Sequence, residues 1–590
     1  MANSRFVEND IKSSTNSIDD KVDTYYSSSE YKTYYDENMN SHIVNVNKVL
    51  GRGGQGIVYR TEDPNIALKL ALKDSKEIND PEEIERFKQI VHKLLLLQLP
   101  KDVKVSVPIS VLKDSAGYVM KMLSTAKSFE FFLPKNTEFN YFLDFSANIE
   151  SFIPHTENFN SVEKKDVAQE VNEDISNDEE SFLKNIVVRT NSNEEININL
   201  SDRCISFKNE NASPLLRYAL TGGLRLRTFA LGVAASQMAR IHSHGLVYGD
   251  ISSKNVYFVP ENGDKTTVWF IDADNMDYEK KRGKVVYTPQ YGAPELIQKG
   301  PDGNTIDGIR TVSDCHAFSV LVSLVLSWCH PFLGKKVLEG SNFEDDIDIE
   351  EQALEGRFPW IDDPDDDSNS EMSINRTLPR SIIYTPYIRR LLKLTFCEGR
   401  IKPFLRPSIY HWVLALIMAH DQTIKCQNPK CGMTLYHDGI TKQYKCNCCD
   451  HVSNQFIITF KSYRLTEKGR FRNYDWMWCK EIDSLDGVLN IAVPTRVFEP
   501  FDNRTFDNDY LYIKSKDTSK EHLSLQKNFN ISSSALFVAK KAEQDKFYEI
   551  TLNNFILSLS DLKQPDNVWL MCVTRTGYHQ LISVELQGVI

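Results

Sequence analysis

No stretch of this chain is both long enough and apolar enough to cross a bilayer. The longest apolar run, near Ala317–Cys329, is interrupted by serines and falls short of the ~20 residues a spanning helix needs, so a buried core helix is expected there. The N-terminus lacks the apolar core of a secretory signal. An excess of positive charge is missing too: 69 Lys and Arg face 81 Asp and Glu, a formal charge of −12. Phosphate backbones recruit net basic surfaces, so this balance argues against nucleic acid as the main partner, and no membrane partner is expected. Internal repeats are absent. What is present is a chain of 590 residues with 41% hydrophobic content, enough for several domains with real cores. Eleven cysteines without a secretory signal point to a reducing, cytoplasmic setting, and five of them crowd into Cys426–Cys449, which suggests metal rather than disulfides.

The pattern changes character along the chain. Residues 1–40 are rich in Ser, Asn, Asp and Tyr with few aliphatics, the composition of a flexible arm that cannot offset its ordering entropy. From Ile43 an alternating strand runs to Leu50, a glycine turn follows, and strands resume at Ile57–Tyr59 and Ile66–Leu70. Asp80 then reads as an N-cap, Pro81 as the first helical residue and Glu83 as part of a capping box. Ile84, Phe87, Val91, Leu94 and Leu95 continue the apolar face of that helix, and Tyr118–Leu123 reads as a buried strand. Between about 124 and 214 Asn, Asp and Glu dominate, an acidic insertion partly folded around Phe129–Phe145. Leu224–His244, Ser319–Cys329 and Ile388–Phe396 are expected helices, and from about 455 to 590 short alternating strands predominate.

Four motifs in a fixed order carry the chemistry. Gly51, Gly53, Gly56 and Val58 fit G-x-G-x-x-G-x-V between two strands. Glycine lets backbone amides approach phosphates, and Val58 is placed to pack on an adenine. A ligand-free hairpin or a dinucleotide fold shares the glycines, but a dinucleotide fold needs a helix after them, where this chain has a strand. Lys69, on the next strand, reaches α- and β-phosphates if an acidic helix residue holds it, with Glu85 or Glu83 as the candidates. Asp250 and Asn255 lie five apart in a loop, and Asp272 follows the apolar strand Val268–Ile271. Asp250 is the expected acceptor or orienter of a substrate hydroxyl. Asn255 and Asp272 are the expected Mg²⁺ (or Mn²⁺) ligands, and Lys254 balances charge on the transferring group. Each short motif alone is explained by turn chemistry; their order and spacing together make that explanation remote.

Taken together, residues from about Ile43 to His420 resemble a eukaryotic-like serine/threonine protein kinase of bacterial type. The resemblance extends to Thr288–Glu295 as the end of an activation segment, with Thr288 contacting the catalytic aspartate. It extends also to Asp314–Ser319 as the start of a large central helix, and to Arg406 as the partner of Glu295. It implies a gatekeeper at Met120 and an adenine-binding hinge at Lys121–Leu123, which includes Met122. The fold class it implies is α+β: a bilobal protein-kinase-like fold over 41–420, followed by a small zinc ribbon at 421–454 and an all-β module at 455–590. There are departures. His-Arg-Asp is Tyr248-Gly249-Asp250, and Asp-Phe-Gly is Asp272-Ala273-Asp274. Asn275–Tyr287 has no Ser or Thr, and Tyr278 and Tyr287 are its only hydroxyls, so activity independent of loop phosphorylation, or control by a partner, is expected.

Cys426-x4-Cys431 and Cys446-x2-Cys449 lie fourteen residues apart on turn-like knuckles, the spacing of a closed four-thiolate structural Zn²⁺ site, with Cys448 a spare or alternative ligand. Asp475-Trp476-Met477-Trp478 is either a partner surface or, more commonly for Trp, core. The order kinase, ribbon, β module resembles bacterial kinases found with von Willebrand-type proteins and metal-dependent phosphatases in tellurite-resistance systems. The expected activity is therefore ATP-dependent phosphorylation of Ser/Thr hydroxyls on a protein substrate. A pseudokinase scaffold that binds nucleotide and partner proteins without turnover is the alternative, favoured by the altered Tyr-Gly-Asp and Asp-Ala-Asp motifs.

Overall fold

The computed structural model describes residues 30–53, 56–123, 125–134, three strands within 185–207, and 214–588. Outside it lie short segments at 261–265, 281–286, 301–304, 341–348, 371–377, 465–473, 483–488, 501–507, 516–521, 529–535, 542–545, 551–554 and 575–576. The chain forms two compact units, one from Met1–Ser128, Arg240–Thr288 and Asp307–Asp314, the other from Phe129–Ala239, Pro289–Ile306 and Cys315–Ile590. The architecture mixes α and β, and an antiparallel sheet leads it.

That sheet contains β1 (Tyr31–Tyr35), β2 (Ser41–Arg52), β3 (Gly56–Thr61), β4 (Ile66–Lys73), β5 (Lys76–Glu77), β6 (Pro108–Val111) and β7 (Gly117–Lys121). Its order is β1-β2-β3-β4-β7-β6, with β5 on β4. β1 corrects the expectation of a flexible arm to residue 40: Tyr31–Tyr35 pairs with Ser41–Asn45, and Tyr34 is buried in the sheet's core. Its polar composition concealed an edge strand with one inward aromatic. The two-residue period of a strand sorts the side chains of β4. Leu68, Leu70 and Leu72 join Val44, Ile57, Tyr59 and Val119 in one core. Lys69 lies between those leucines in sequence and therefore faces the other side, where its register partners are Val58 and Tyr118.

On that second side the helix Pro81–Leu95 packs Val91 and Phe87 against Val111 and Tyr118. Phe87 stacks on Tyr118 with ring centroids 6.4 Å apart. Pro81 opens the helix, Glu82 and Glu83 occupy its first turn and His92 and Lys93 its last, an arrangement that complements the helix dipole. The expected capping box does not form: the Asp80 side chain makes no cap bond, and the Glu83 carboxylate pairs with Lys73 instead. The strand Thr266–Phe270 pairs with Val256–Pro260, which pairs in turn with Lys127–Ser128. Phe270 also exchanges backbone bonds with Lys104 (2.9 Å) and Ser106 (2.7 Å). These bonds fix the start of the 271–276 turn.

In the second unit, Asn185–Arg189, Glu195–Asn199 and Cys204–Phe207 form an antiparallel meander inside what composition marked as insertion. Phe129–Phe132 is a buried 3₁₀ turn, and the rest of the expected Phe129–Phe145 cluster beyond residue 134 lies outside the described residues. The helices Gly223–Ser243, Thr311–Ser327, Pro386–Lys393 and Ile409–Asp421 supply an apolar core through Leu231, Phe318, Leu321, Val325, Leu392 and Leu416. Within it Arg227 is fully buried and donates to the carbonyls of Val325 (3.1 Å), Tyr218 (3.0 Å), Gly223 (3.1 Å) and Phe132 (3.1 Å). The Tyr218 ring lies 3.8 Å from the guanidinium. Burial lowers the Arg227 pKa to about 10, yet the carbonyl cage keeps the charge at neutral pH.

The C-terminal strands form two antiparallel sheets, one of six strands from Phe456–Arg464 to His579–Gln587 and one of four built on Asn490–Pro494. Phe460, Val493, Leu511, Leu525, Leu570 and Val584 from both sheets share one core. Trp476 and Trp478 are buried, so the tryptophan run is core packing, not a partner surface. Trp476 Nε1 donates to Asp421 (2.8 Å), and Arg496 clasps the same carboxylate at 2.7–2.9 Å. Among the described residues no helix is long and apolar enough to cross a membrane.

Candidate active site and cysteine centre

Every predicted catalytic side chain belongs to the first unit. Gly56, at the start of β3, lies close to Lys69. A Cβ added to Gly56 would stand 3.0 Å from Lys69 Cε, whereas at Gly51 and Gly53 it would meet nothing within 4 Å. A side chain at Gly56 would thus crowd the Lys69 side chain and the Leu70 carbonyl. Gly51 and Gly53 leave a bare backbone edge that a side chain would otherwise cover. Val58 is half-buried opposite Lys69, Met120 is half-buried on β7, and Met122 donates its backbone N–H to Asn65 at 2.7 Å.

Lys69 itself is 6% exposed. Its ammonium contacts Asp272 Oδ1 and lies 2.7 Å from Asp274 Oδ2. This corrects the expected helix partner: Glu85 is exposed and accepts from Gln89 at 3.4 Å, and Glu83 is taken by Lys73. The cause is local. Asp272 adopts left-handed backbone (φ 59°, ψ 54°), a conformation Asp tolerates better than most residues, and Ala273–Asn275 continues as a 3₁₀ turn. That turn brings both carboxylates to one amine. Tyr118, fully buried, donates its hydroxyl to Asp274 Oδ1 at 2.8 Å. Burial opposes the Lys69 charge, but the carboxylates of Asp272 and Asp274 outweigh it and hold its pKa well above the usual lysine range. Burial likewise drives the Tyr118 hydroxyl well above the usual phenol range, so it remains a donor.

Asp250 anchors the second half of the site. Its Oδ1 accepts the Thr288 backbone N–H (2.9 Å) and hydroxyl (2.7 Å). Its Oδ2 accepts from Asn255 Nδ2 at 3.1 Å, and Asn255 Nδ2 also reaches the Asp250 carbonyl at 2.9 Å. The two halves are stitched by backbone: Ile271 N–H donates to the Asn255 carbonyl at 3.0 Å, and the Tyr248 hydroxyl bonds the Ile271 carbonyl. Lys254 is exposed. Sequence reasoning placed Asp314 only at a helix start, yet it organises the loop. Its carboxylate accepts the N–H groups of Tyr248 (2.7 Å) and Gly249 (2.9 Å) and lies 3.0 Å from His242. Gly249 has φ 84°, and a Cβ there would stand 3.1 Å from the Asn275 carbonyl, so the loop's own geometry resists a larger residue beside Asp250.

In the second unit Glu295 and Arg406 form a buried two-pronged pair at 2.6 and 2.7 Å. Further along, Thr423–Lys425 pairs with Thr434–Tyr436, and Tyr444–Lys445 pairs with Val452–Ser453. Each hairpin carries one cysteine pair. The sulfurs of Cys426, Cys431, Cys446 and Cys449 all lie within 4.8 Å of one another. Cys426 and Cys449 are 3.6 Å apart and Cys431 and Cys446 3.7 Å. Four thiolates at a Zn–S bond of ~2.3 Å stand about 3.8 Å apart on a tetrahedron, so the donor set fits Zn²⁺. Cys448 is fully buried outside this set, its N–H donating to Cys446 Sγ at 3.4 Å.

Comparison with known proteins gives a protein-kinase-like relationship over part of the chain. No family model matches. Over 107 residues, 18% of this chain, it is 29% identical to ribosomal protein S6 kinase alpha-3 of Homo sapiens. Over the same length it is 28% identical to ribosomal protein S6 kinase alpha-1 of Homo sapiens and to ribosomal protein S6 kinase 2 alpha of Xenopus laevis. The match covers 14% of each of these relatives.

Proposed function

We propose that this chain is an ATP-dependent protein kinase that phosphorylates Ser/Thr hydroxyls of a protein partner, with a kinase-type fold over about 41–420. The observation that carries the reading is the hydrogen-bonded continuity from Lys69 through Asp272 to Ile271, Asn255 and Asp250 within one compact unit. When bound, Mg-ATP supplies the phosphoryl group and the cationic charge that neutralises it. Lys69 holds the α- and β-phosphates beside the bare backbone of Gly51 and Gly53, and Met120 and Met122 border the adenine. Asp272 and Asn255 offer oxygens to the metal. Asp250, pinned by Thr288, orients the substrate hydroxyl and takes its proton, and exposed Lys254 faces the acceptor side. Catalysis is then positioning and charge neutralisation. Gly249 puts no basic side chain next to Asp250, which supports control without loop phosphorylation. The four-cysteine ribbon at about 421–454 and the β module at 455–590 serve as recruiting modules for a substrate or a regulator of the von Willebrand or phosphatase type.

One observation favours the scaffold alternative: Asp274 adds a second carboxylate where phosphates would lie, which opposes an anionic ligand. Incubation of the purified chain with Mg-ATP and labelled phosphate, followed by mass spectrometry, separates the two. Turnover is expected, with Asp250→Ala lowering it by about 10²–10⁴-fold and Lys69→Met abolishing detectable incorporation. Nucleotide binding without incorporation in the unmodified chain sinks the kinase reading.

A further inference from the structure

We infer that Asp274, held by Tyr118, is the positioning residue that orients Lys69, an office that neither Glu85 nor Glu83 of the Pro81–Leu95 helix fills. The inference deepens the kinase reading and rests on it. Both oxygens of Asp274 are committed: Oδ2 takes the Lys69 ammonium at 2.7 Å and Oδ1 takes the Tyr118 hydroxyl at 2.8 Å. Asp274 is therefore built to hold an amine, not to ligate a cation. Asp272 gives Lys69 a single oxygen, Oδ1, and its second oxygen is the one available for a metal. The Asp-Ala-Asp motif thus divides two roles between its two acids.

The mount is rigid. Tyr118 is fully buried and pairs in register with Lys69 across β4 and β7, so the hydroxyl that fixes Asp274 is itself fixed by the sheet. Phe87 lies parallel to Tyr118, the ring planes only 7° apart. The helix that would otherwise offer a glutamate is tethered by other contacts. Lys93 bonds Asp277 at 2.6 Å, and His92 lies 2.8 Å from Glu37. Its docking needs no glutamate–lysine pair, and Glu85 points to solvent. Orientation of Lys69 is thereby set by the segment that also carries the metal ligand, and it does not depend on swinging the helix.

The test compares Asp274→Asn, Tyr118→Phe and Glu85→Gln, each first checked for an unchanged melting profile. The nucleotide-free chain is treated with an amine-reactive reagent, and Lys69 modification is timed by mass spectrometry. Steady-state phosphorylation is measured in parallel. Lys69 is expected to react at least threefold faster in Asp274→Asn, detectably faster in Tyr118→Phe and unchanged in Glu85→Gln. With turnover, kcat/KM for ATP falls at least tenfold in Asp274→Asn, with KM for the protein substrate unmoved, and stays within twofold in Glu85→Gln. Faster labelling in Glu85→Gln, or unchanged labelling in Asp274→Asn, overturns the inference. Absence of turnover in the unmodified chain overturns the kinase reading instead, and the labelling arm then decides the lysine's partner alone. Should Asp274→Asn not fold, Tyr118→Phe removes only the hydroxyl that fixes the carboxylate, and its labelling rate decides.

Discussion

Replacing Arg406 by Met is the most informative perturbation of the second unit. Arg406 makes charge-assisted bonds of 2.6 and 2.7 Å to Glu295 and donates Nε to the Gly399 carbonyl at 2.9 Å. The Arg406 side chain is 0% and that of Glu295 10% exposed, so solvent cannot replace what is lost. Bonds to charged groups contribute ~1.5–3 kcal/mol each, which puts the two prongs near 3–6 kcal/mol. Removing one partner of a buried pair costs ~3–5 kcal/mol, mostly because the remaining charge has no partner. About 4 kcal/mol is therefore expected, a fall in Tm of about 5 °C for a unit of this size. The double variant Glu295→Gln with Arg406→Met removes the stranded charge and should recover at least about 1 kcal/mol. Urea unfolding followed by tryptophan fluorescence reads both, since Trp412 is buried in the same unit. A single variant within 1 kcal/mol of the unmodified chain, or a double variant no better than the single, would refute the reasoning.

Two further outcomes are expected. Burial lowers His330, His420 and His437 to about 4, and His316 well below its usual range. Their folded pKa values lie under the unfolded value near 6.5, so the unfolded chain binds more protons. Stability is then full above that pH and falls as pH drops from ~6.5 toward 4, by up to about 1.4 kcal/mol per pH unit for each histidine. Urea midpoints that stay flat between pH 7 and pH 5 would contradict this. For the cysteine centre, elemental analysis should find one zinc per chain, retained in Cys448→Ser and lost in Cys431→Ser. Loss of zinc in Cys448→Ser would reassign the ligand set.

Much of the local structure was legible because it is set by near neighbours. The alternation in Ile43–Leu50 and Ile66–Leu70, with glycines between, yields β2 to β4, and Pro81 starts its helix where the pattern says. Paired cysteines on hairpin knuckles converge because each hairpin fixes its own two sulfurs, leaving only two halves to meet. Thr288 with Asp250 and Glu295 with Arg406 were legible only through a family resemblance, since nothing local links residues 38 and 111 apart. Arg227 looked like any polar residue on an amphipathic helix, and nothing in its neighbourhood signals a cage of carbonyls drawn from three segments.

The amino-acid order by itself determined which segments become strands, helices and turns, and which residue types are available for phosphate and metal chemistry. Periodicity, proline and glycine act over a few residues, where backbone sterics dominate. The tertiary structure alone decided the partner of Lys69. Glu85 and Asp274 both carry a carboxylate, and choosing between them needs the left-handed turn at Asp272, the buried Tyr118 hydroxyl and the facing of a strand 205 residues away. An ion pair over that separation is specified by where the backbone of the whole unit places two side chains, a quantity no window of sequence contains.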